Sequence, residues 1–269
     1  MDNEKIKELL LELESTDIEF TVTQSGKESK RVNGLYKPDT HEIILHNKNF
    51  KTENELIYTA IHEYTHHLIA EEQIKLNGSA YTYNAKVHTQ SFWAKFHSLL
   101  QIAEEKKFYS IDIDSFPELK ELTENIQKNY LEANGKLMME FGKLLAKAHA
   151  LCEDANIRYE DYLDRVLCLP RNSARDITRV GRVTDVDPAI GFDNMKMVSA
   201  IKKSDERQDA QQKIIDGQSP VTVREMLKKK TQKQETPREK LEKEKNRLSK
   251  TILQLQQRLD YVEETLATM

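Results

Sequence analysis

One pentapeptide, His62-Glu63-Tyr64-Thr65-His66, constrains this chain more than any other part of its sequence. Two histidines four residues apart lie on the same face of an α-helix, so both imidazoles can reach one metal ion. The glutamate beside the first histidine then lies close to that ion, where it can take the proton of a water molecule. The pattern therefore predicts a helix that carries part of a catalytic metal site.

The residues before the motif predict the helix that it needs. Thr52-Glu53-Asn54-Glu55 reads as a capping box, in which a threonine N-cap is followed three positions later by a glutamate. Apolar residues then recur at helical spacing, at Leu56, Ile57, Ala60, Ile61, Tyr64, Leu68 and Ile69. Residues 41–46 are apolar and β-branched, which indicates a short strand. We therefore expect a strand followed by a capped amphipathic helix over about 53–73.

The third metal ligand has to come from elsewhere, because a hydrolytic zinc site usually has three protein ligands and one open position. Glu71 and Glu72 continue the motif helix beyond His66 and are poorly placed to fold back onto the metal. His67 lies about 100° around the helix from His66 and points away. The other histidines outside the motif are interpreted as surface or core residues: His41, His46, His97 and His149.

His88 is the best-placed third ligand. It lies 22 positions after His66, where a second helical pattern begins; a surface histidine at a helix N-terminus is the alternative reading. We therefore predict a Zn²⁺ cofactor with three histidine ligands and one glutamate base: His62, His66, His88 and Glu63. Tyr81 or Tyr83, between the two helices, are candidates for stabilising an oxyanion, and packing of the connector is the more ordinary explanation for them.

This arrangement resembles the SprT-like (Spartan-type) zinc metallopeptidases over roughly residues 5–105. Their third histidine opens a helix in an H-G-x-x-F motif, and His88-Thr89-Gln90-Ser91-Phe92 matches it except that Thr89 replaces the glycine. The zinc ribbon that often follows in that family is absent, since Cys152 and Cys168 are the only cysteines. The resemblance implies a cytoplasmic peptidase that acts on proteins held near DNA. ImmA/IrrE-type peptidases share the first motif, but their third ligand is usually acidic.

Composition predicts the class of the whole chain. It has 269 residues, enough for two domains, and its 32% of charged residues with few glycines and prolines favours a helix-rich protein. Two cysteines without metal-ligand spacing indicate a reducing compartment, and the absence of a long apolar stretch or signal peptide predicts a cytoplasmic protein without a membrane span. We expect an α+β, predominantly α fold, with a small zincin-like N-terminal domain, an all-α helix-turn-helix-like middle domain and a C-terminal coiled coil.

Residues 112–117 predict a domain boundary, after which the pattern is helical. The predicted helices cover about 117–132, 134–153 and 158–168. Residues 169–172 interrupt the pattern, and a short basic helix follows over 173–180. Two short helices with a tight break are typical of a helix-turn-helix, although helical bundles contain them as well. On the first interpretation the DNA-contacting side chains are Arg171, Arg175, Thr178 and Arg179.

The segment after residue 190 adds a second resemblance. An apolar helix precedes Ala210-x-x-Lys213-Ile214-Ile215-Asp216-Gly217, and Val221-Thr222-Val223-Arg224-Glu225 follows. This order resembles the helical DNA-binding portion of ParB-type partition proteins over roughly 133–230, without their nucleotide-binding N-terminal domain. It implies DNA binding; the alternative is a helical scaffold without affinity for DNA.

The last segment predicts a coiled coil that starts at Pro237. Its apolar residues recur at three- and four-residue spacing, with Lys245 at one core position: Leu241, Leu248, Ile252, Leu255, Leu259, Val262 and Leu266. We expect a parallel homodimer, with a helix docked on its own chain as the alternative. Residues 224–250 contain 11 Lys/Arg and 5 Glu, and this basic run either contacts phosphates or is a solvated face.

Three regions are predicted in all: a peptidase-like domain over 1–112, a helical domain over 117–230 and a coiled coil over 237–269. Together they predict a zinc metalloendopeptidase that a helix-turn-helix module brings to a protein substrate at or near DNA. The alternative function is a non-catalytic ParB-like partition or regulatory protein whose metal site is structural or vestigial. Glu63 favours the enzyme, because a structural metal site has no need of a base.

Overall fold

The computed structural model describes residues 1–77, 88–231 and 237–268, which are predominantly helical with one small sheet. The predicted α+β, predominantly α class is confirmed. Tyr81 and Tyr83, the candidate oxyanion residues, lie outside the described residues. The N-terminal part contains α1 (Asn3–Leu13), β1 (Thr21–Gln24), β2 (Gly34–Lys37), β3 (Glu42–Leu45), α2 (Glu53–Asn77) and α3 (Gln90–Glu105).

The three strands form a sheet in the order β1-β3-β2, with β3 parallel to β1 and antiparallel to β2. Ile43 and Leu45 of the central strand are fully buried against α1 and α2. The strand predicted over 41–46 is therefore confirmed, and β2 lies at one edge of the sheet, next to α2.

The motif helix α2 begins at the predicted capping box. The backbone N–H of Glu55 donates to the Thr52 hydroxyl at 3.2 Å, and the Thr52 N–H donates to the Glu55 carboxylate at 3.4 Å. Two backbone N–H groups that have no partner within the helix are thus hydrogen-bonded by each other's side chains. The apolar face of α2 packs on α1, the sheet and the aromatic residues of α3, which places the pentapeptide inside the N-terminal core.

The second half of the described chain is helical throughout. It contains α4 (Pro117–Ile126), α5 (Ala133–Asp154), α6 (Tyr159–Asp161), α7 (Arg171–Arg182), α8 (Phe192–Val198), α9 (Ser204–Ile215), α10 (Pro220–Thr231) and α11 (Pro237–Thr268). A π-helical segment, Gln127–Glu132, joins α4 to α5 without a break, so the interruption predicted near residue 133 is wrong. A π turn holds more residues than an α turn, which shifts the apolar periodicity and imitates a helix end.

Helices α5 and α7 cross at two glycines. A Cβ atom on Gly142 would lie 2.2 Å from the carbonyl oxygen of Ile177, and one on Gly181 would lie 2.5 Å from the carbonyl carbon of Gly142. The two backbones are therefore in direct contact, and no side chain fits between them. Helix α7 starts at Arg171, earlier than predicted, because Pro170 precedes the first turn and its missing N–H costs nothing there.

The helical region contacts the N-terminal region through α10 and α3. The Thr222 hydroxyl donates to the carbonyl oxygen of Ala94 at 3.3 Å, and the Lys228 ammonium donates to the Gln90 side chain at 2.7 Å. Most apolar residues of α11, by contrast, are exposed to solvent. No helix among residues 1–77, 88–231 and 237–268 is long and apolar enough to cross a membrane.

Candidate metal centre

Three histidines from two helices meet between α2 and the start of α3. His62 and His66 lie one turn apart on α2, and His88 immediately precedes the N-cap of α3. One ligand nitrogen from each lies within 4.8 Å of the others, and the Nε2 atoms of His62 and His88 are 3.0 Å apart. Nitrogens at about 2.0–2.1 Å from a tetrahedral zinc lie about 3.4 Å from one another. The three imidazoles can therefore hold one metal ion and leave a fourth position open.

Aromatic side chains of α3 pack against the histidine rings. The Phe92 ring centroid lies 4.4 Å from that of His66 and 5.0 Å from that of His62. Trp93 stacks on His88 with a centroid distance of 5.6 Å and an interplanar angle of 26°. Packing of this kind fixes the orientation of ligand rings and excludes water from one side of a metal site.

The protonation state of the two helix histidines suits a metal. Burial lowers the pKa of His62 to about 4, and burial together with the neighbouring imidazoles lowers the pKa of His66 to about 3. Both rings are therefore neutral at pH 7, which is the form that binds a metal ion. Three imidazoles are one of the donor sets found in catalytic zinc sites.

Thr89 stands at the position where the H-G-x-x-F pattern has a glycine. It is the N-cap of α3, and its hydroxyl accepts a hydrogen bond from the Phe92 N–H at 3.2 Å. A threonine cap stabilises a helix start about as well as a glycine or better. The residue after His88 thus anchors the helix that positions this ligand.

Glu63 lies on α2 between the two ligands and is 7% exposed. Burial raises its pKa to about 7, and a hydrogen bond from the Tyr36 backbone N–H acts in the opposite direction. Strand β2 comes this close because Gly34 has no side chain: a Cβ atom there would lie 2.9 Å from the Cγ atom of Glu63. A carboxyl group that titrates near neutral pH can both accept and return a proton.

A hydrogen-bonded chain of buried and half-buried side chains connects the other face of α2 to β2. The Tyr36 hydroxyl lies 2.8 Å from His41 Nδ1 and 3.2 Å from His67 Nδ1. His67 Nε2 lies 3.0 Å from the Thr16 hydroxyl, which donates to Glu71 at 2.5 Å. Glu71 and His67 therefore hold the sheet and the α1–β1 connection onto α2, away from the three-histidine cluster. The sequence carries no signal for the role of Tyr36, which reads like any core tyrosine.

The predicted DNA-contacting residues lie along α7, and all four are hydrogen-bonded within the protein. Arg171 forms a bidentate pair with Asp164, Arg179 donates to Asp176 at 2.7 Å, and Thr178 is hydrogen-bonded to Tyr159. Arg175 donates to the Asn172 side chain and has no carboxylate partner among the described residues. Arg182, which the sequence did not single out, lies on the same side of α7 as Arg175 and Thr178. Its spacing of seven from Arg175 was the available signal.

Comparison with known proteins assigns no family. No protein-family model, curated protein or solved structure matches this chain. The chemistry of the site therefore has to be derived from the residues that form it.

Replacement of the third histidine tests the centre directly. We expect about one zinc per chain in the wild-type protein and a loss of metal affinity of more than about 100-fold in His88→Ala, because an open site with two protein ligands binds zinc weakly. Elemental analysis after dialysis without chelator measures both. His97→Ala, on the same helix but outside the cluster, is the matched control and should retain the metal. Equal metal content in His88→Ala and the wild type would exclude His88 as a ligand.

Proposed function

We propose that this chain is a zinc-dependent metalloendopeptidase of the HExxH type, with a zincin-like site similar to that of SprT-like peptidases, which acts on proteins at or near DNA. The observation that carries the proposal is Glu63, a buried carboxyl group with a pKa near neutral beside three imidazoles. Structural zinc sites have four protein ligands and no base. A base beside three ligands supports catalysis over the alternative of a partition protein with a structural or vestigial metal.

Each side chain of the site has its own role in hydrolysis. His62, His66 and His88 would hold the zinc, which supplies a Lewis acid that polarises the peptide carbonyl and favours ionisation of water. Glu63 accepts the proton of the attacking water and delivers it to the leaving amine. The Tyr36 N–H keeps the Glu63 carboxylate oriented during both transfers.

The edge strand β2 supports an extended peptide as the substrate. Among the described strands β2 pairs only with β3, and since the Tyr36 N–H of β2 donates to Glu63, a further strand added to β2 would lie beside that side chain. An exposed strand edge binds an extended peptide through main-chain hydrogen bonds. A peptide added there would run past Glu63, since Gly34 and Tyr36 of β2 adjoin that side chain.

The helical region supports targeting of the peptidase to DNA. In this proposal it is the ParB-like helix-turn-helix module, and α10 places it directly on the helix that follows His88. A protein bound to the same DNA would then be held near the metal centre. We further propose that α11 forms a coiled-coil homodimer, because its exposed leucines would otherwise remain in water.

Cleavage of an unfolded protein in the presence of DNA tests the function. We expect the purified chain to cleave a reduced and alkylated protein, to lose at least about 100-fold in rate when a chelator removes the metal, and to recover when zinc is added back. Fragments are measured by mass spectrometry, which also locates the cut bonds. Cleavage that survives metal removal would point to a contaminating protease, and a zinc-loaded protein that cuts no substrate with or without DNA would favour the non-catalytic alternative.

A further inference from the structure

A groove runs along one side of α7, opposite α6 and beside the C-terminal part of α5. Its volume is about 550 Å³, and its opposite wall is formed by α6 and the following π-helical turn, Tyr162–Val166. The side chains that matter here come from both walls and from α5: Arg175, Arg182, Thr178, Tyr159, Leu163 and His149. The face of α7 that was predicted to enter a DNA major groove is thus one wall of a cleft.

The charges around this groove do not cancel. Glu160 pairs with Arg158, Asp164 with Arg171, and Asp176 with Arg179. No carboxylate of the described chain lies within ion-pair distance of Arg175 or Arg182. Two guanidinium groups on one side of the groove therefore remain for an anion that enters it. Phosphate, like carboxylate, has the geometry that a guanidinium group binds with two hydrogen bonds.

The opposite wall offers an aromatic surface in a fixed position. The half-buried Tyr159 ring packs edge-on against His149, with 4.6 Å between ring centroids, and nearly parallel to Tyr162, at 6.4 Å. Its hydroxyl is bonded to Thr178 and donates to the carbonyl oxygen of Leu145 at 3.4 Å. Because ring contacts and hydroxyl hydrogen bonds already hold Tyr159, its side chain loses little conformational entropy when a flat ligand contacts it.

Two guanidinium groups without a carboxylate partner among the described residues, beside an aromatic ring, are the elements of a site for single-stranded nucleic acid. In such sites bases stack on aromatic side chains while cationic side chains follow the phosphates. A double helix is read by a helix that projects into a major groove about 12 Å wide. Helix α7 does not project, because one side touches the α5 backbone at Gly142 and the other faces the groove.

We propose that the groove between α7 and the Tyr159–Val166 wall binds one strand of nucleic acid, with Arg175 and Arg182 on successive phosphates and a base against Tyr159. This inference refines the DNA targeting within the proposed function, since it specifies a single strand where a helix-turn-helix would take a duplex.

Fluorescence anisotropy with the full-length protein tests the groove. The probe is a labelled thymidine oligonucleotide of about 20 residues, used alone or annealed to its complement. We expect the single strand to bind more tightly than the duplex. In Arg175→Gln/Arg182→Gln the affinity for the single strand should fall by about tenfold or more, and the slope of log affinity against log salt should decrease by about 1.4 for two lost phosphate contacts.

Matched variants separate the groove from general electrostatics. Arg31→Gln/Lys202→Gln removes the same charge from exposed positions outside the groove and should bind like the wild type. Tyr159→Phe keeps the ring and should retain affinity for the single strand, whereas Tyr159→Leu should lose about tenfold. Circular dichroism confirms that each variant is folded.

Two outcomes of the binding experiment would overturn the single-strand site. Tighter binding to the duplex, with the groove variants equal to their control, overturns the single-strand site and leaves DNA targeting in place. No binding to either probe overturns the single-strand site and the targeting together, while peptidase activity on unfolded protein is measured separately.

Discussion

Glu63→Gln is expected to abolish peptide-bond cleavage while leaving the metal centre intact. The glutamine amide keeps an oxygen for the Tyr36 N–H but cannot accept the proton of the attacking water. Loss of a general base lowers a rate by about 10²–10⁴-fold. Zinc content by elemental analysis and cleavage of an unfolded protein are measured on the same preparation. Normal cleavage by the zinc-loaded variant would remove Glu63 from the mechanism.

The same substitution should stabilise the metal-free protein above pH 7. Burial raises the pKa of Glu63 from about 4.5 in the unfolded chain to about 7 in the folded one. Between these values the unfolded state releases the proton first, so this group lowers the free energy of unfolding as the pH rises. The full cost, about 3 kcal/mol at most, is present above pH 7 and absent below pH 4.5. Glutamine does not ionise and avoids it.

Urea unfolding in the presence of a chelator measures this effect. The difference in free energy of unfolding between Glu63→Gln and the wild type should grow from pH 5 to pH 8, and Glu8→Gln, at an exposed position of α1, should show no such trend. A pH-independent difference would mean that the Glu63 carboxyl group ionises freely in the folded protein. The base is thus expected to reduce stability at the pH at which it works, as catalytic groups commonly do.

Gly142→Ala is expected to unfold much of the helical region at temperatures that the wild type tolerates. The added methyl group would lie 2.2 Å from the Ile177 carbonyl oxygen, so α7 must move away from α5. Overpacking against a backbone costs about 3 kcal/mol or more, which exceeds the gain of about 1 kcal/mol from replacing glycine by alanine in a helix. The unfolding midpoint should fall by about 10 °C.

Circular dichroism during heating checks this prediction. Asn134→Ala, an exposed position on the same helix, gains helix propensity without a new contact and should match or slightly exceed the wild-type midpoint. A wild-type midpoint in Gly142→Ala would mean that α5 and α7 are further apart than the structure has them. The groove on the far side of α7 should lose its nucleic-acid affinity along with the helix crossing.

The features that the sequence predicted well depend on local rules. The start of α2 follows from a capping box that spans four residues, and the common face of His62 and His66 follows from helix geometry alone. His88 needed only one further inference, that a third ligand opens the next helix. Its ring meets the other two in the structure.

The features that the sequence did not predict depend on contacts between distant segments of the chain. Tyr36 reaches Glu63 because Gly34 lets an edge strand approach a helix, and the sequence does not show which helix residue that strand meets. Two of the predicted DNA-contacting residues are paired within the protein, Arg171 with Asp164 and Arg179 with Asp176. A list of basic residues cannot show which charges are already neutralised, and that decides what α7 can bind.

The contact of α10 with α3 limits how this chain can exchange parts with other proteins during evolution. Domains joined only by a linker are readily recombined, since neither depends on the surface of the other. Here Thr222 and Lys228 bind the helix that begins beside His88, so a foreign module in place of residues 117–230 would leave Gln90 and the Ala94 carbonyl without these partners. We expect the two regions to be inherited as one unit, with substitutions on α10 matched by substitutions on α3.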